Sequence, residues 1–131
     1  MLTNFEEQTH ELKPEEKKLI PIITKKLNER VGKDKAMSST YICSKIDYHL
    51  KYKLTKPRLR KIIHYIRVKN KIVFLCGTNK GYYIAKNKDE FQEWLESYEQ
   101  RIRSMLEVFE AGQKQLEFQD KYSQVWKNIL K

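Results

Sequence analysis

The stretch TKPRLRKIIHYIRVKNKIVFLCGTNKGYYIA, residues 55–85, changes its hydrophobic period near its middle. In the first half, apolar residues recur every three or four positions, which predicts a helix with one buried face. These apolar residues are Leu59, Ile62, Ile63 and Ile66. Thr55 is a favourable N-cap, and Pro57 falls in the first helical turn, where a missing N–H costs nothing. The sequence therefore predicts a helix that runs to about Lys69.

The second half of the stretch predicts a β-hairpin. Residues 71–76 are rich in β-branched and aromatic side chains, and so are residues 82–85. Between them lies a tip that is bounded by Gly77 and Gly81, whose lack of a Cβ permits a tight turn. We expect two short antiparallel strands around this tip.

Upstream of this stretch, two further amphipathic segments predict helices. The first opens near Pro14 and carries an apolar row of Leu19, Ile20, Ile23, Leu27 and Val31. Pro21 lies within it, so this helix is either kinked there or begins closer to it. The second helix is capped by Ser38 or Ser39 and places on one side Ile42 and Ile46. Residues 36–39 can form a brief strand before it.

Downstream, a long helix is expected to begin at about Asp89. Its apolar residues are spaced by alternating steps of four and three, like a coiled-coil heptad. We call them the long-helix seam: Phe91, Leu95, Tyr98, Ile102, Met105 and Phe109. The seam can pack back onto the first helix or pair with a second copy of the chain, and the sequence leaves both interpretations open. Residues 116–130 predict a last amphipathic helix.

Positive charge is concentrated in the middle of the chain, which carries +10 overall. Residues 33–88 contain fifteen Lys or Arg and only two acids, net +13, whereas residues 1–32 are neutral and residues 89–131 carry −3. A surface that serves only solubility mixes the two signs. The segregation indicates a module that binds a polyanion, between flanks with little positive charge.

The third predicted helix combines a buried row with a cationic exterior. In the winged form of the helix-turn-helix, a third helix of this kind enters the major groove and a hairpin follows it. Lys and Arg contact phosphates, and an Arg near the helix N-terminus, here Arg58, can bind guanine O6 and N7. The candidate DNA-binding residues of this helix are Lys56, Arg58, Arg60, Lys61, His64 and Tyr65.

The hairpin tip supplies a second set of candidate contacts. Lys80 can neutralise a phosphate, while Thr78 and Asn79 can donate to its oxygens. Of the two tyrosines that follow, we expect Tyr82 in the core and Tyr83 on the outside, as a phosphate hydroxyl donor.

Three runs together resemble the compact winged-helix DNA-binding proteins that are common in phage and prophage genomes. They are AMSSTYICSKI (36–46), TKPRLRKIIHYIR (55–67) and GYYIAKNKD (81–89). The resemblance covers about residues 18–110 and implies double-stranded DNA binding in transcription regulation or in phage and mobile-element replication. It assigns the recognition role to Lys56, Arg58 and Lys61, and the wing role to Asn79 and Lys80. The turn over residues 48–54 is longer and more basic than the turn usual in these proteins.

The sequence contains no catalytic or metal-binding pattern. No histidine stands near an acid and a nucleophile in a recognisable motif, and no phosphate-binding loop or metal-ligand spacing occurs. We therefore expect no enzyme activity and no cofactor. Cys43 and Cys76 predict free thiols in a reducing compartment. Because no secretory signal or membrane span is recognisable, we expect a cytoplasmic protein of a bacterial host cell, nucleoid-associated when it is bound to DNA.

The predicted fold class is mainly α with a small β-hairpin (α+β): a winged helix-turn-helix followed by one or two long C-terminal helices. Residues 1–13 are expected to form a flexible arm, residues 14–88 the winged-helix domain, and residues 89–131 a helical extension for packing or dimerisation. The expected partners are double-stranded DNA and, in one interpretation of the seam, a second copy of the chain, with no membrane. The alternative function is a protein–protein interaction module that uses the winged-helix scaffold and the aromatic C-terminal helix.

Overall fold

The computed structural model describes residues 10–118 and 127–129. Within these residues the chain is mainly helical with one small antiparallel sheet, as the sequence predicts. The elements, in chain order, are α1 (Pro14–Lys17), α2 (Leu19–Asn28), α3 (Ser39–Leu50), α4 (Lys56–Val68), β1 (Leu75–Thr78), β2 (Gly81–Ile84) and α5 (Lys88–Glu117). A 3₁₀ turn, Lys33–Lys35, lies between α2 and α3. The chain divides into two compact units, Met1–Gln92 and Glu93–Lys131.

The predicted caps begin α3 and α4. Ser38 Oγ accepts a hydrogen bond from the N–H of Tyr41 at 3.1 Å, and Thr55 Oγ1 accepts one from the N–H of Arg58 at 3.3 Å. Each bond satisfies one of the backbone donors that have no partner at the start of a helix. Pro57 lies in the first turn of α4, as predicted.

The first predicted helix is divided in two by a turn at Lys18. α2 then begins at Leu19, two residues before Pro21. Pro21 therefore lies in the first turn of α2, where its missing N–H would have no partner within the helix, and its ring does not interrupt α2. Of the two predicted arrangements, the structure has the one in which a helix begins close to Pro21.

The core of the first unit is formed by the buried faces of α2, α3 and α4. Most of the predicted apolar residues on these helices are at most 5% exposed: Leu19, Ile23, Leu27, Ile42, Ile46, Leu59, Ile62, Ile63 and Ile66. Complete burial of each such side chain contributes roughly 1.5–3 kcal/mol. Val31 is an exception, because α2 ends at Asn28 and Val31 instead pairs with Ile84 in an isolated bridge.

β1 and β2 form the predicted hairpin, but β1 begins at Leu75 and not at Lys71. Phe74 has a left-handed φ of 63°, which turns the chain just before the strand. This turn allows Ile72 and Leu75 to be buried together, although the alternation of a regular strand would place them on opposite faces. Thr78 pairs with Gly81, so the turn of the hairpin consists of residues 79 and 80.

β2 has backbone partners on both of its edges. On the edge away from β1, the N–H of Met37 donates to the carbonyl of Tyr82 at 2.8 Å, and the N–H of Tyr82 donates to the carbonyl of Met37 at 3.0 Å. The N–H of Ile84 donates to the carbonyl of Arg30 at 2.7 Å. The predicted brief strand over residues 36–39 is present as a bridge at Met37. These bonds fix the hairpin against the chain that leads into α3.

The described part of the second unit consists of most of α5, Phe118 and residues 127–129, which are helical. None of the residues of α5 is buried. No helix among the described residues combines the length and the apolarity that crossing a membrane requires. The last predicted helix, over residues 116–130, lies largely outside the described residues.

Candidate nucleic-acid interface

α4 has two unlike faces, of which one is apolar and buried and the other cationic. On the cationic side, Lys56, Arg60 and His64 follow one another at intervals of four and are exposed, and the half-buried Arg67 continues the row. Lys61 is half-buried beside this row. At 1.5 Å per residue, the row from residue 56 to residue 67 is about 17 Å long. We call these five residues the basic face: Lys56, Arg60, Lys61, His64 and Arg67.

Among the described residues, no carboxylate forms a salt bridge with Lys56, Arg60 or Lys61. The salt bridges of the described residues join Lys53 to Asp47, Arg58 to Glu16, Lys86 to Glu90 and Arg103 to Glu99. None of these bridges involves Lys56, Arg60 or Lys61. A row of cations without nearby acids produces a positive potential that attracts polyanions.

Arg58 does not lie on the basic face, and the prediction that it is an exposed contact residue is wrong. It is 8% exposed and turned toward α1, where Glu16 is 1% exposed. Its Nε donates to Glu16 Oε2 at 2.7 Å, and its Nη2 donates to Oε1 at 2.7 Å, which makes a bidentate ion pair. The physical reason is angular, since Arg58 lies about 160° around the helix from Arg60.

Arg58 also holds the chain that precedes α1. Its Nη1 donates to the carbonyl oxygen of His10 at 3.0 Å, and its Nη2 donates to that of Glu11 at 2.9 Å. Residues 10–13 are therefore attached to α4, and the prediction of a flexible arm is wrong for them. The remainder of the predicted arm, residues 1–9, lies outside the described residues.

The Glu16 carboxyl has a pKa below its ordinary value of 4.5 although it is buried. Burial acts to raise this pKa, but the hydrogen bonds from Arg58 and from the backbone N–H of Lys13, the latter at 2.7 Å, outweigh burial. A charge removed from water is tolerated only when it is paired and hydrogen-bonded in this way. Glu16 and Arg58 therefore depend on each other.

Tyr65, another predicted contact residue, is half-buried. It lies about 140° around α4 from Arg60 and only about 20° from Arg58. Tyr65 thus lies near Arg58 and also about 40° from Lys61, at the edge of the basic face, and its contact with DNA stays a prediction.

The hairpin tip is exposed, as predicted, at Thr78, Asn79 and Lys80. Thr78 Oγ1 accepts a hydrogen bond from the backbone N–H of Lys80 at 3.2 Å, which stabilises the turn. No salt bridge of the described residues involves the Lys80 amine. The tip therefore presents one uncompensated cation beside two small polar side chains.

The two tyrosines of β2 occupy different environments. Tyr82 is half-buried and packs against the core, as predicted. Tyr83 is 2% exposed, so the prediction that it is an outward phosphate donor is wrong. It pairs with Cys76 across the hairpin, and both are buried. The prediction fails because it assumes that the second face of the hairpin is open to solvent, whereas that face is buried at Tyr83.

Arg67 connects the basic face to the hairpin. Its Nη2 lies 3.1 Å from the position that a Cβ on Gly77 would occupy. Gly77 belongs to β1 and precedes Lys80 by three residues. Because a side chain at position 77 would displace the guanidinium, glycine allows the helix and the strand to approach closely here. The basic face and the hairpin tip are therefore attached to each other within the first unit.

A further group of cations surrounds Tyr41 of α3, and its members are not among the predicted contact residues. Tyr41 is 43% exposed, and its ring lies between Arg30 and Lys45, at 5.7 Å from Cζ and 5.5 Å from Nζ. The spacing of four between Tyr41 and Lys45 is visible in the sequence and indicates one helix face. The approach of Arg30 depends on tertiary structure, because Arg30 is positioned by its backbone bond to β2.

The long-helix seam is exposed along α5. Phe91 packs edge-on against Phe74, with ring centroids 5.2 Å apart. Packing onto the first predicted helix and pairing with a second copy both stay predictions. The other members of the seam are 44–73% exposed: Leu95, Tyr98, Ile102, Met105 and Phe109.

The described residues show no arrangement that is typical of catalysis. Among them, no group of three His, Cys, Asp or Glu side chains is placed to hold a metal ion. The thiols of Cys43 and Cys76 are free, and burial raises the pKa of both. A thiol with a raised pKa forms little of the thiolate that nucleophilic attack requires. The absence of enzyme activity stays a prediction.

The first unit thus joins one exposed cationic helix face to one exposed cationic turn. Comparison of the chain with protein-family models, curated proteins and solved structures gives no match. The geometry and the charges of this unit are therefore the basis for assigning a function.

Proposed function

We propose that the chain binds double-stranded DNA as a winged helix-turn-helix, with α4 in the major groove and the β1–β2 hairpin as the wing. The observation that carries this proposal is the basic face, whose Lys56, Arg60 and His64 are exposed to solvent beside the buried apolar row of α4. The order of α3, a connection, α4 and a hairpin is that of the winged form.

The basic face matches a DNA groove in both size and charge. The major groove is about 12 Å wide and admits one α-helix. The row from Lys56 to Arg67 is about 17 Å long, roughly half of the ~34 Å helical repeat of B-DNA. Cations in such a row neutralise phosphates along the groove and release condensed counterions, which favours binding.

Arg60 is the residue of the basic face best suited to read a base. An arginine that enters the major groove can donate two parallel hydrogen bonds to guanine O6 and N7. The guanidinium of Arg58 is engaged by Glu16, whereas Arg60 is exposed. We therefore assign the base-reading role that the sequence predicted for Arg58 to Arg60, two residues further along α4.

The hairpin tip serves to position the protein on the DNA backbone. Lys80 and Asn79 are exposed at the turn and can contact a phosphate and a sugar edge. Contacts of this kind carry no sequence information, so they strengthen binding to every duplex alike.

The resemblance to small phage and prophage winged-helix proteins supports a role in transcription regulation or in phage and mobile-element replication. Such a role requires binding without catalysis and without a cofactor. It places the protein in the cytoplasm of a bacterial cell, associated with the nucleoid when bound to DNA.

Fluorescence anisotropy of labelled random and A·T-rich duplexes, titrated with the full chain at fixed salt, tests this proposal. The double substitution Arg60→Ala/Lys61→Ala removes two charges from the basic face and is expected to weaken binding at least about tenfold. The matched control Arg103→Ala/Lys114→Ala removes two charges from α5. It is expected to change the affinity by less than about twofold, because neither side chain belongs to the proposed interface.

An equal loss of affinity in both double variants would show that overall charge, and not the basic face, attracts DNA. If the unsubstituted chain does not bind duplex DNA, the proposal is wrong. The protein–protein interaction module on a winged-helix scaffold would then be the better interpretation.

A further inference from the structure

We infer that α5 pairs with α5 of a second copy of the chain, as an antiparallel coiled coil. This inference concerns the second unit and goes beyond the proposed DNA binding, on which it does not depend. The proposed partner of the seam is a helix of the same sequence. Three properties of the seam favour this partner: its period, its exposed area and its self-complementarity.

The period of the seam indicates a helical partner that runs alongside α5. From Leu95, steps of three and four lead through Phe109 to Gly112 and Leu116 without interruption. The seam from Leu95, extended in this way to Leu116, is about 32 Å long. A strict seven-residue repeat drifts by about 20° per heptad on a straight helix, so it stays in line only when two helices supercoil around each other.

The exposed apolar surface has the size of a stable interface. At about 150–250 Å² for an aromatic side chain and roughly 60–120 Å² for an aliphatic one, the exposed fractions amount to roughly 500 Å² of apolar surface, which is about 65% of an ~800 Å² face, the apolar share usual in homodimer interfaces. A stable protein–protein interface buries about 800 Å² on each partner. Eight side chains on and beside the seam, each 44–74% exposed, provide this surface: Leu95, Tyr98, Ile102, Met105, Leu106, Val108, Phe109 and Leu116.

The seam is complementary to itself when two α5 helices run antiparallel. In the register of greatest overlap, a small residue, Gly112, faces Leu95 of the other copy, and the space beside Gly112 is open for about 4 Å. Parallel pairing would place Gly112 opposite itself and leave a cavity, which destabilises a packed interface. The layers of the antiparallel register are Leu95–Gly112, Tyr98–Phe109 and Ile102–Met105.

The charged residues that flank the seam select the same register. In it, Glu99 lies opposite Leu106 of the other copy, and Arg101 lies opposite Val108, so no like charges face each other. A shift by one heptad toward the start of α5 would bring Glu99 against Glu99 and Arg101 against Arg101. Like charges in facing positions repel, so this shifted register is disfavoured. Antiparallel helices also align their dipoles favourably.

The mass of the full chain in solution, measured by sedimentation equilibrium without DNA, tests the pairing. We expect twice the 15.9 kDa of one chain. Ile102→Glu places a charge in the middle of the seam and is expected to raise the dissociation constant of the dimer at least about 100-fold. The matched control Gln100→Glu adds the same charge on the opposite face of α5 and is expected to leave the dimer intact. Circular dichroism of both variants checks that α5 stays helical.

The orientation of the two helices is tested by a distance between spin labels. The label is attached at Lys114→Cys in a chain that also carries Cys43→Ala, while Cys76 is buried and stays in place. In the antiparallel register, position 114 lies at the same height along the axis as position 93 of the other copy, so the labels are about 30 Å apart along the axis. In a parallel pair they would be level, at about 20 Å across the two helices.

Three results would overturn the inference. If the unsubstituted protein has the mass of one chain at about 100 μM, the dissociation constant of the dimer is well above this concentration and the inference is wrong. An equal loss of the dimer in Ile102→Glu and Gln100→Glu excludes the seam as the interface. A short label distance in a stable dimer excludes the antiparallel arrangement. Because no measurement contains DNA, the outcome is independent of the DNA-binding proposal.

Discussion

Arg58 is buried and stabilises the fold, whereas the neighbouring Lys56 and Arg60 are exposed to solvent. It donates two hydrogen bonds to the Glu16 carboxylate and two more to the carbonyls of His10 and Glu11. A planar guanidinium can make all four at once, and a lysine ammonium cannot match the bidentate geometry. α1 is a single helical turn, too short to be stable alone, so this ion pair fastens it to α4.

Arg58→Ala is expected to lower the free energy of unfolding by about 3–5 kcal/mol, because it leaves the Glu16 charge buried without its partner. Urea denaturation followed by circular dichroism measures this change. Arg60→Ala, an exposed substitution on the same helix, is the control and should alter the free energy of unfolding by at most about 0.5 kcal/mol. Similar values for the two variants would contradict the role assigned to Arg58.

Glu16 also makes the stability of the protein depend on pH. Its pKa in the folded state lies below its ordinary value of 4.5, so the ion pair contributes fully above pH 4.5. This contribution is lost as the pH falls through the folded-state pKa, because the folded state must then take up a proton that it binds weakly. We expect the free energy of unfolding to decline in this acidic range.

Urea denaturation of the parent and of Glu16→Gln over a series of acidic pH values isolates the contribution of Glu16 to the decline in the free energy of unfolding. The variant is expected to be less stable near neutral pH and to lose less stability on acidification. If both proteins show the same pH dependence, other carboxylates are responsible for it.

Among the elements, β2 depends most strongly on one residue. Gly81 opens the strand with a φ of 132°, which side chains rarely adopt. A Cβ at this position would also clash with the carbonyl group of Met37. The neighbouring backbone cannot withdraw, because Met37 and Tyr82 exchange two hydrogen bonds. Gly81 thus allows the hairpin to lie against the entrance to α3.

Gly81→Ala is expected to lower the free energy of unfolding by at least about 2 kcal/mol, through backbone strain and the clash with Met37. Thermal and urea denaturation measure the effect. Gly112→Ala, measured in the chain that also carries Ile102→Glu, provides the contrast, because among the described residues no atom lies within 4 Å of a Cβ at this position and alanine is the better helix former by about 1 kcal/mol. A neutral Gly81→Ala would mean that the hairpin does not approach Met37 closely in solution.

At the scale of the whole molecule, charge and apolar surface are separated along the chain. Residues 33–88 carry net +13 and contain the basic face, whereas residues 89–131 carry −3 and contain the whole seam. The two proposed functions therefore occupy different units. Removing charge from the first unit should affect DNA binding, and changing the seam should affect association of copies.

The affinity for duplex DNA is expected to fall steeply with salt. If Lys56, Lys61 and Lys80 each neutralise a phosphate, a plot of log Kobs against log salt has a slope of about −2.7. Lys80→Ala should make this slope shallower by about 1 and weaken binding to all sequences alike. Anisotropy titrations between about 50 and 200 mM salt measure both quantities. An unchanged slope in Lys80→Ala would remove the hairpin from the proposed interface.

Local sequence patterns are sufficient to predict the helices of the first unit and the existence of the hairpin. The capping by Ser38 and Thr55 is a local hydrogen bond, and the buried row of α4 is a local period, so both could be read from neighbouring residues. The start of β1 could not be read in this way. It depends on the left-handed turn at Phe74, which allows Ile72 and Leu75 to be buried together. The core that buries them is formed by helices far away in the sequence.

Which side chains of the candidate site face solvent depends on contacts between distant segments. Arg58 and Arg60 are two residues apart and chemically alike, but Glu16, 42 residues from Arg58, removes one of them from the surface. Tyr83 is buried opposite Cys76 for the same kind of reason. Periodicity and capping act within a few residues, whereas burial and ion pairing depend on contacts between segments that are far apart in the chain.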